Sequence, residues 1–446
     1  MKKRPHATLA EPDRKTSRRV TVIALTGPFG SGSTTCAEIL KDRLGYTIIR
    51  LSDAIRKVWT AENPKKTPAR SDLQALGNRM RRDSANPGEL ARLAVEELRA
   101  RPDADRIVID GVRNVGEVES LRDSFGRNFF LFAVECPASD RFGRLKSVYG
   151  QDLTRFAEDN ERDRDQEDAF GQQVELCVDA ADALLTNDDS VTQRTLRDKV
   201  VEFVRLVTGE VPRYPHPHEI LMNLAYSSSH GSKCLKRQVG AVLVKASPLV
   251  MGGVVGQGFN ENPTGTAPCV EEPRYGAKPK ESVPGRCFRD MVRHESYVSL
   301  AERKARCPSC GEQLKAPAVE VPPWHCEACS SNLDRFFWPE RAMSLCTAVH
   351  AETAALMAAG ERARGSTLYS TTFPCFQCAE KIAHAGVKAV VYNEPYPDVR
   401  AAERLQISKI DVVRFEGIRS GRFDEIFSRA RPYIARQRAA MPKVST

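Results

Sequence analysis

No stretch of the 446 residues approaches the ~18 consecutive apolar side chains of a membrane-spanning helix, which excludes a helical integral membrane protein. The N-terminus, MKKRPHATLAEPDRKTSRR, has basic residues but no apolar core behind them, so it does not read as a secretory signal. It reads instead as a basic flexible tail over 1–19. A cytoplasmic location without membrane partners is the expectation. No internal repeat of fixed period is present, which sets aside solenoids and arrays. Charge of one sign is also scarce. Lys+Arg is 67 against Asp+Glu 58, a net +9, too small an excess to argue for nucleic acid. With 41% hydrophobic and 28% charged residues, the composition is that of neither a disordered chain nor a coiled coil. The length suits two to four domains at about 100–200 residues each.

Cysteine is the residue present in excess. Thirteen is an odd count in a chain without an export signal, so a disulfide framework is not expected. Six cysteines fall in three Cys-x-x-Cys pairs: Cys307/Cys310, Cys326/Cys329 and Cys375/Cys378. In a reducing compartment such pairs point to zinc. A thioredoxin-like redox role needs a context that the first two pairs, set in a proline-rich segment, lack.

The hydrophobic pattern divides the chain. VTVIALT (20–26), RIVIDGV (106–112) and FFLFAVEC (129–136) read as buried strands. CAEILKDRL, LQALGNRMRR and GELARLAVEEL between them read as helices. This alternation through residue 210 predicts a parallel α/β sheet with helices on both faces. Pro212, Pro215 and Pro217 mark a linker over 211–217. A second α/β domain is predicted over 218–446. It contains a helix at HEILMNLAYSSSH, a strand pair at VGAVLVK and LVMGGVVGQGF, and helix and strand again from residue 349. Residues 267–342, rich in proline and cysteine and poor in periodicity, read as an insertion held by metal.

Two motifs in the second domain carry chemistry. His350-Ala-Glu352 and Pro374-Cys375-Phe-Gln-Cys378 supply one imidazole and two thiolates. That is a three-ligand zinc set with an open fourth position, as in a catalytic site. A closed site with Cys346 as fourth ligand is the structural alternative. Each half opens a predicted helix, where N–H dipoles stabilise thiolates. Glu352 is not counted as a ligand. It is placed to take a proton from a metal-activated water and pass it to a leaving group. H-x-E…P-C-x-x-C is the zinc deaminase signature.

With these motifs, Ser232-Lys233-Cys234 leading into Gln238-Val-Gly-Ala-Val242, and Gly258-Phe-Asn260-Glu-Asn-Pro-Thr-Gly265, residues 218–400 resemble the deoxycytidylate deaminase family. The resemblance implies a three-layer α/β/α domain of cytidine deaminase type and hydrolysis at C4 of cytosine. It also implies that Asn260 bonds the deoxyribose and that the backbone over Thr371, Thr372 and Phe373 reads the cytosine edge. Lys233, Lys236 and Arg237 are the nearest basic candidates for phosphate, and Tyr396 is a candidate to close over the pocket. The chain departs from the family pattern at Ala354, where Asn is usual, and at Glu261, where Gly is usual.

Within the insertion, Cys307/Cys310 and Cys326/Cys329 stand fifteen residues apart. That spacing reads as a zinc ribbon with a closed Cys₄ structural site. Cys269, Cys287, His294 and His325 have no assigned partner.

In the first domain, Gly27-Pro-Phe-Gly30-Ser31-Gly32-Ser33-Thr34-Thr35 has the frame of a phosphate-binding loop between a strand and a helix. Thr34 stands where a Mg²⁺-ligating hydroxyl belongs. Ser33 stands where the lysine that neutralises a transferring phosphoryl group would be. Asp53 and Arg56 after the second strand, Asp110 and Arg113 after the third, and a charged lid-like run at 162–168 resemble nucleoside monophosphate kinases. The expectation is a kinase-like domain over 20–210 that binds a nucleotide without transferring phosphate. An active kinase using another cation, or a structural relic, are the alternatives.

The whole combination resembles the bacterial antiphage dCTP/dCMP deaminases. That resemblance implies conversion of dCTP and dCMP to dUTP and dUMP, with the kinase-like domain as sensor or restraint. It also implies a homo-oligomer, a hexamer among the forms, and leaves an RNA or protein inhibitor open. A bifunctional salvage kinase–deaminase and a polynucleotide deaminase are the rival readings.

Overall fold

The computed structural model describes residues 20–428, apart from 102, 165–167, 247–252, 267, 270–286, 288–305, 308, 315–324, 332, 334–345, 347 and 397. The basic tail and His294 lie outside the described residues. Two compact units result, Met1–Pro215 with Glu416–Thr446, and His216–Phe415.

The first unit begins with β1 (Thr21–Thr26), α1 (Ser33–Leu44), β2 (Thr47–Arg50), α2 (Leu51–Glu62), α3 (Arg70–Asp83), α4 (Glu89–Arg99) and β3 (Arg106–Val112). It continues with α5 (Val115–Phe125), β4 (Phe129–Glu135), α6 (Ala138–Arg144), α7 (Lys146–Tyr149), α8 (Leu153–Arg164), α9 (Val174–Asp179), β5 (Ala183–Thr186) and α10 (Gln193–Val207). Strands pair in parallel in the order β2-β3-β1-β4-β5. Along β1 the side chains alternate between two cores. Val22 and Ala24 pack with Ile55, Leu90, Leu121 and Val178, from α2, α4, α5 and α9. Ile23 and Leu25 pack with Leu40, Val200 and Phe203, from α1 and α10. Both faces are covered, which is why the strands read as unbroken apolar runs. The carboxyl ends of β1, β3 and β4 face one crevice, the usual ligand position of an open parallel sheet.

The second unit holds α11 (Pro217–Ser229), β6 (Gly240–Val244), β7 (Val254–Phe259), α12 (Ala351–Ala359), β8 (Thr367–Thr372), α13 (Phe376–His384), β9 (Ala389–Glu394), α14 (Val399–Ile407) and β10 (Asp411–Arg414). Its sheet runs β10-β9-β8-β6-β7, with β6 antiparallel to β7 and β8, and with β8, β9 and β10 parallel. On one face α11 packs Leu221, Met222 and Ala225 against Val242, Tyr369 and Val391. On the other, Ala355, Ile382 and Leu405 from α12, α13 and α14 pack against Leu243, Leu368 and Val390. These are the three α/β/α layers expected. Strand β7 lies backbone to backbone against α12. A Cβ on Gly256 would fall 2.3 Å from the Ala355 carbonyl oxygen, and one on Gly258 would fall 2.5 Å from the Ala355 nitrogen.

The chain end departs from the sequence reading, which carried the second domain to residue 446. The structure ends that unit at Phe415 and returns the chain to the first, through β11 (Gly417–Ile418) and α15 (Ser420–Ser428). Strand β11 pairs antiparallel with β5 and covers its edge, which would otherwise present unpaired backbone groups. Ile418, Ile426 and Phe427 join the core that holds Ile23 and Leu25. Glu416 accepts from the Thr186 amide and from Lys199 Nζ, each at 2.8 Å. Arg422 Nη2 donates to the Phe129 carbonyl at 2.6 Å. A two-residue strand leaves no periodic trace, so composition alone does not reveal the return. Among the described residues no helix is long and apolar enough to cross a membrane.

Truncating Ile426 to Ala removes a side chain that is only 1% exposed. The expected cost is about 2–4 kcal/mol. It should appear as faster hydrogen exchange in β5 and α10 with β8 and β9 unchanged. The reverse distribution would show that residues 416–428 stabilise the second unit instead.

Candidate functional site

His350 and Cys375 are the residues immediately before α12 and α13, both in extended backbone, and Cys378 sits in the first turn of α13. Helix α12 lies against β7 and β6 and leads into β8, and α13 leaves from the end of β8, so both helix starts meet at one end of the sheet. One donor atom from each of His350, Cys375 and Cys378 lies within 4.8 Å of the others. The Nδ1 of His350 is 3.4 Å from Cys375 Sγ and 3.3 Å from Cys378 Sγ. A tetrahedral zinc with arms of ~2.0–2.3 Å has N···S edges of about 3.6 Å, so the donor set fits that ion. Cys346 is not among the converging donors.

Glu352 occupies the first turn of α12 and is 4% exposed. Its Oε2 accepts from Cys378 Sγ at 3.5 Å. Burial pushes its carboxyl up from the ordinary carboxylate range. Cys375 is held well below the usual thiol value, first by a hydrogen bond from Cys378 and also by His350. His350 is raised, first by its bond to Cys375.

Neighbouring contacts hold these groups in place. Glu261 and Val349 exchange backbone hydrogen bonds of 3.1 and 2.7 Å, tying the loop after β7 to the residue before His350. Glu261, where the family pattern has Gly, uses only its backbone in this bridge. Asp398, which caps α14 by accepting from Ala401 N, also accepts from the Phe376 amide at 3.0 Å, next to Cys375.

The residues expected to contact substrate are placed unevenly. Asn260 is buried, with Oδ1 accepting from Val239 N at 2.7 Å and Nδ2 donating to the Arg237 carbonyl at 2.9 Å. Its amide braces the 237–239 turn, leaving one N–H and one lone pair. The Thr371 hydroxyl accepts from Gly240 N at 3.2 Å, and Thr372 Oγ1 donates to Glu394 Oε2 at 3.1 Å. The Phe373 amide donates to the Glu394 carbonyl at 2.8 Å. That one donor of the segment is therefore engaged within the protein. Arg237 is half-exposed, with Nε 4.0 Å from Glu394 Oε2, and Lys233 is exposed. Tyr396 lines a cavity of about 500 Å³ with Phe373, Tyr392 and Asp398. Glu394 and Asp398 escaped the sequence reading. A strand end and a helix N-cap are their only local signals.

In the insertion, Cys307, Cys310, Cys326 and Cys329 also converge within 4.8 Å. Cys307–Cys329 and Cys310–Cys326 are each 3.7 Å apart. The S···S edge of a tetrahedral zinc site is about 3.8 Å. The two halves fold alike. Cys307 and Cys326 each donate an amide to the carbonyl five residues on, and each accepts from the amide four residues on. None of the 13 cysteines forms a disulfide. Burial raises the Cys346 thiol, and repulsion from nearby Cys234, Cys287 and Cys269 adds to the effect.

The loop after β1 turns on three glycines of positive φ, Gly27, Gly30 and Gly32. A Cβ on Gly27 would fall 2.2 Å from the Val134 carbonyl oxygen, and one on Gly32 would fall 2.4 Å from Asn187 Nδ2. Asn187 Nδ2 donates to the Ser31 carbonyl at 2.6 Å, a brace from the end of β5. Helix α1 starts at Ser33 with Gly32 as its N-cap. Thr34 Oγ1 donates to Asp110 Oδ2 at 2.8 Å, while Asp110 Oδ1 and Ser31 Oγ are buried without a partner. Thr35 is exposed beside them. Arg113 reaches the loop region through Asp163. Asp53 and Arg56 are exposed on α2, facing an open groove with Lys57 and Thr60, and among the described residues neither is bonded to the loop.

Comparison with known proteins divides at the same place. Residues 215–394 match the cytidine and deoxycytidylate deaminase zinc-binding region, and residues 23–169 match an AAA domain. The chain thus joins a P-loop kinase-like domain to a zinc-binding deaminase domain. A UPF0200 protein of Saccharolobus islandicus is 32% identical over 191 residues, 40% of this chain and 96% of that protein. The deoxycytidylate deaminase of Schizosaccharomyces pombe is 24% identical over 400 residues, 88% of this chain and 97% of that protein. The crystal structure of the dCMP deaminase of cyanophage S-TIM5 is 20% identical, covering 46% of this chain and all of that one, with a TM-score of 0.25.

Two separate donor sets predict independent metal losses. Cys375→Ser and Cys326→Ser should each remove one metal ion per chain by elemental mass spectrometry, and the double variant should remove two. Equal metal content in Cys326→Ser and the parent would show that the second cluster holds none.

Proposed function

The chain belongs to the UPF0200 family, and we propose that its C-terminal unit hydrolytically deaminates free deoxycytidine nucleotides, dCMP or dCTP, to the uracil forms. The observation that carries this reading is a carboxylate, Glu352, buried 3.5 Å from Cys378 beside a converging His–Cys–Cys set. A zinc ion held by His350 Nδ1, Cys375 and Cys378 supplies Lewis acidity that lets water lose a proton near neutral pH. Glu352 would accept that proton and pass it to N3 of the cytosine as the hydroxyl adds to C4; it would then take the proton of the new C4 hydroxyl and deliver it to the departing amine as the C4–N bond breaks. Its raised pKa suits both halves of that exchange. Water supplies the oxygen of the uracil, and ammonia leaves. Arg237, a half-exposed cation 4.0 Å from the Glu394 carboxylate that holds Thr372, suits the substrate phosphate. A free nucleotide arrives unstacked, so the site needs no base-flipping apparatus.

The second cluster, Cys307/Cys310/Cys326/Cys329, holds a structural zinc in this reading. It folds a segment too small to build its own core. The N-terminal unit binds a regulatory nucleotide. Backbone amides of Gly27–Gly32 cradle its phosphates, and Thr34 with Asp110 presents the hydroxyl and carboxylate that hold Mg²⁺. Ser33 in place of lysine removes a charge that phosphoryl transfer needs, which argues against a salvage kinase. Resemblance of the whole combination to antiphage deaminases supports depletion of the deoxycytidine nucleotide pool as the biological setting and a homo-oligomeric assembly.

The test is a panel of dCMP, dCDP, dCTP, CTP and a dC-containing oligonucleotide, scored for uracil product. Product from dCMP or dCTP is expected, with Glu352→Gln at least ~100-fold slower while retaining its metal. Product from the oligonucleotide alone would replace the nucleotide-pool reading with polynucleotide deamination.

A further inference from the structure

In the first unit a carboxylate already sits where the phosphate loop gathers positive charge. Asp163, on α8, has a side chain 1% exposed. Its Oδ2 accepts from the Phe29 amide, within the loop, at 3.2 Å. Its Oδ1 accepts from Arg70 Nη2 at 2.9 Å and also from Arg113 Nη1. These three donors come from the β1–α1 loop, the start of α3 and the end of β3. Nothing local in sequence brings them together.

The charges at this point do not balance. Two guanidinium groups share one carboxylate oxygen, so the cluster retains one positive charge. Burial lowers the Arg70 pKa, and repulsion from Arg113 lowers it further. Asp159, the other acid on the same helix, is turned to Tyr149 at 2.8 Å and to Arg162 at 3.0 Å. A dianion would satisfy both arginines better than Asp163 does. Ser31 Oγ in the loop and Asp110 Oδ1 near the end of β3 are buried polar atoms without a partner among the described residues. Both residues are at least nine-tenths buried.

Helix α8 is fastened to the loop by apolar contacts as well. The Phe29 ring lies 5.4 Å from Phe156 and 6.1 Å from Tyr149, with the Arg70 guanidinium 4.0 Å over its face. Arg141 donates Nη1 to the Phe29 carbonyl at 3.1 Å and Nη2 to Asn160 at 2.7 Å. The loop, two arginines and α8 are therefore one packed assembly whose polar centre is Asp163.

We propose that Asp163 is a built-in stand-in for a phosphoryl group: a phosphate or phosphate ester entering the Arg70–Arg113 cradle displaces the carboxylate and lifts α8 from the phosphate loop. The device rests on reading Gly27–Gly32 as a phosphate cradle. It adds the competitor, the second arginine and the element that moves. Entry of a ligand is thereby coupled to a change in α8.

The experiment uses the full chain with inorganic phosphate as probe, and AMP in parallel to tell a free phosphate from an ester by which gains more. Asp163→Asn should bind phosphate about tenfold tighter than the parent, because one like charge is removed at contact distance. Adding Arg113→Gln should abolish that gain. In the unaltered protein, phosphate should speed hydrogen exchange over residues 153–164, a readout that needs no variant to fold. Equal affinity of the parent and Asp163→Asn would overturn the competition. Phosphate binding without faster exchange in α8 would overturn the displacement. Absence of binding in every form would instead sink the underlying reading of the loop.

Discussion

Three soft donors have to meet at one point, and no local segment of the chain carries all three. His350 lies 25 residues before Cys375, and between them the chain builds one helix and one strand. The solution is geometric. Helix α12 lies against β7 and β6 and leads into β8, and α13 follows β8, so two helix starts are brought to one end of the sheet. At a helix start the first amides have no partner within the helix, and their dipoles favour the thiolate over the thiol. What remains is distance, and it is set from outside. Glycines in β7 let the strand backbone lie against α12, the Glu261–Val349 bridge fixes the residue before His350, and Asp398 holds the amide next to Cys375. A buried carboxylate such as Glu352 is costly in an ordinary core. Here it lies against the one cluster that can use it.

The two units apply the same local physics to different ends. In the first, a glycine loop before α1 turns the Phe29 amide onto the Asp163 carboxylate. In the second, side chains at the helix starts become the donors themselves. Bracing from another strand's end recurs as well. Asn187, after β5, holds the Ser31 carbonyl, as Glu394 at the end of β9 holds Thr372 and Phe373. In the second sheet the bracing residue stands on the adjacent strand; in the first it stands two strands from the loop, across β4.

That displacement explains what could be read from sequence and what could not. Buried strands such as VTVIALT and FFLFAVEC, the glycine loop and the His350 and Cys375 motifs are local patterns, and their structures agree with the reading. Both two-cysteine knuckles of the four-cysteine cluster were legible from spacing alone. Asp163 was visible only as part of a charged run, since its partners lie 50 and 134 residues away. Asn260 was read as a substrate contact; that its amide also braces the turn beside it is something no motif states. The return of residues 416–428 rests on two strand residues and three core side chains. That is too little pattern to outweigh the assumption that a domain runs to the chain end.

The missing lysine at Ser33 gives the first unit its character. In phosphoryl transfer the loop lysine acts on charge that develops in the transition state, whereas loop amides hold charge already present in the ground state. A loop that has the glycine frame and lacks the lysine is better suited to recognition than to acceleration. Binding energy no longer directed to a chemical step remains available for selecting between conformations. A ligand shifts such an equilibrium only by its differential affinity for the two states. The proposed Asp163 latch would supply that difference, because the carboxylate and a phosphoryl group cannot both occupy the arginine cradle. On this reading the substitution that removes kinase chemistry and the aspartate that fills the cradle belong to one adaptation, which turns a catalytic loop into a two-position sensor of phosphate.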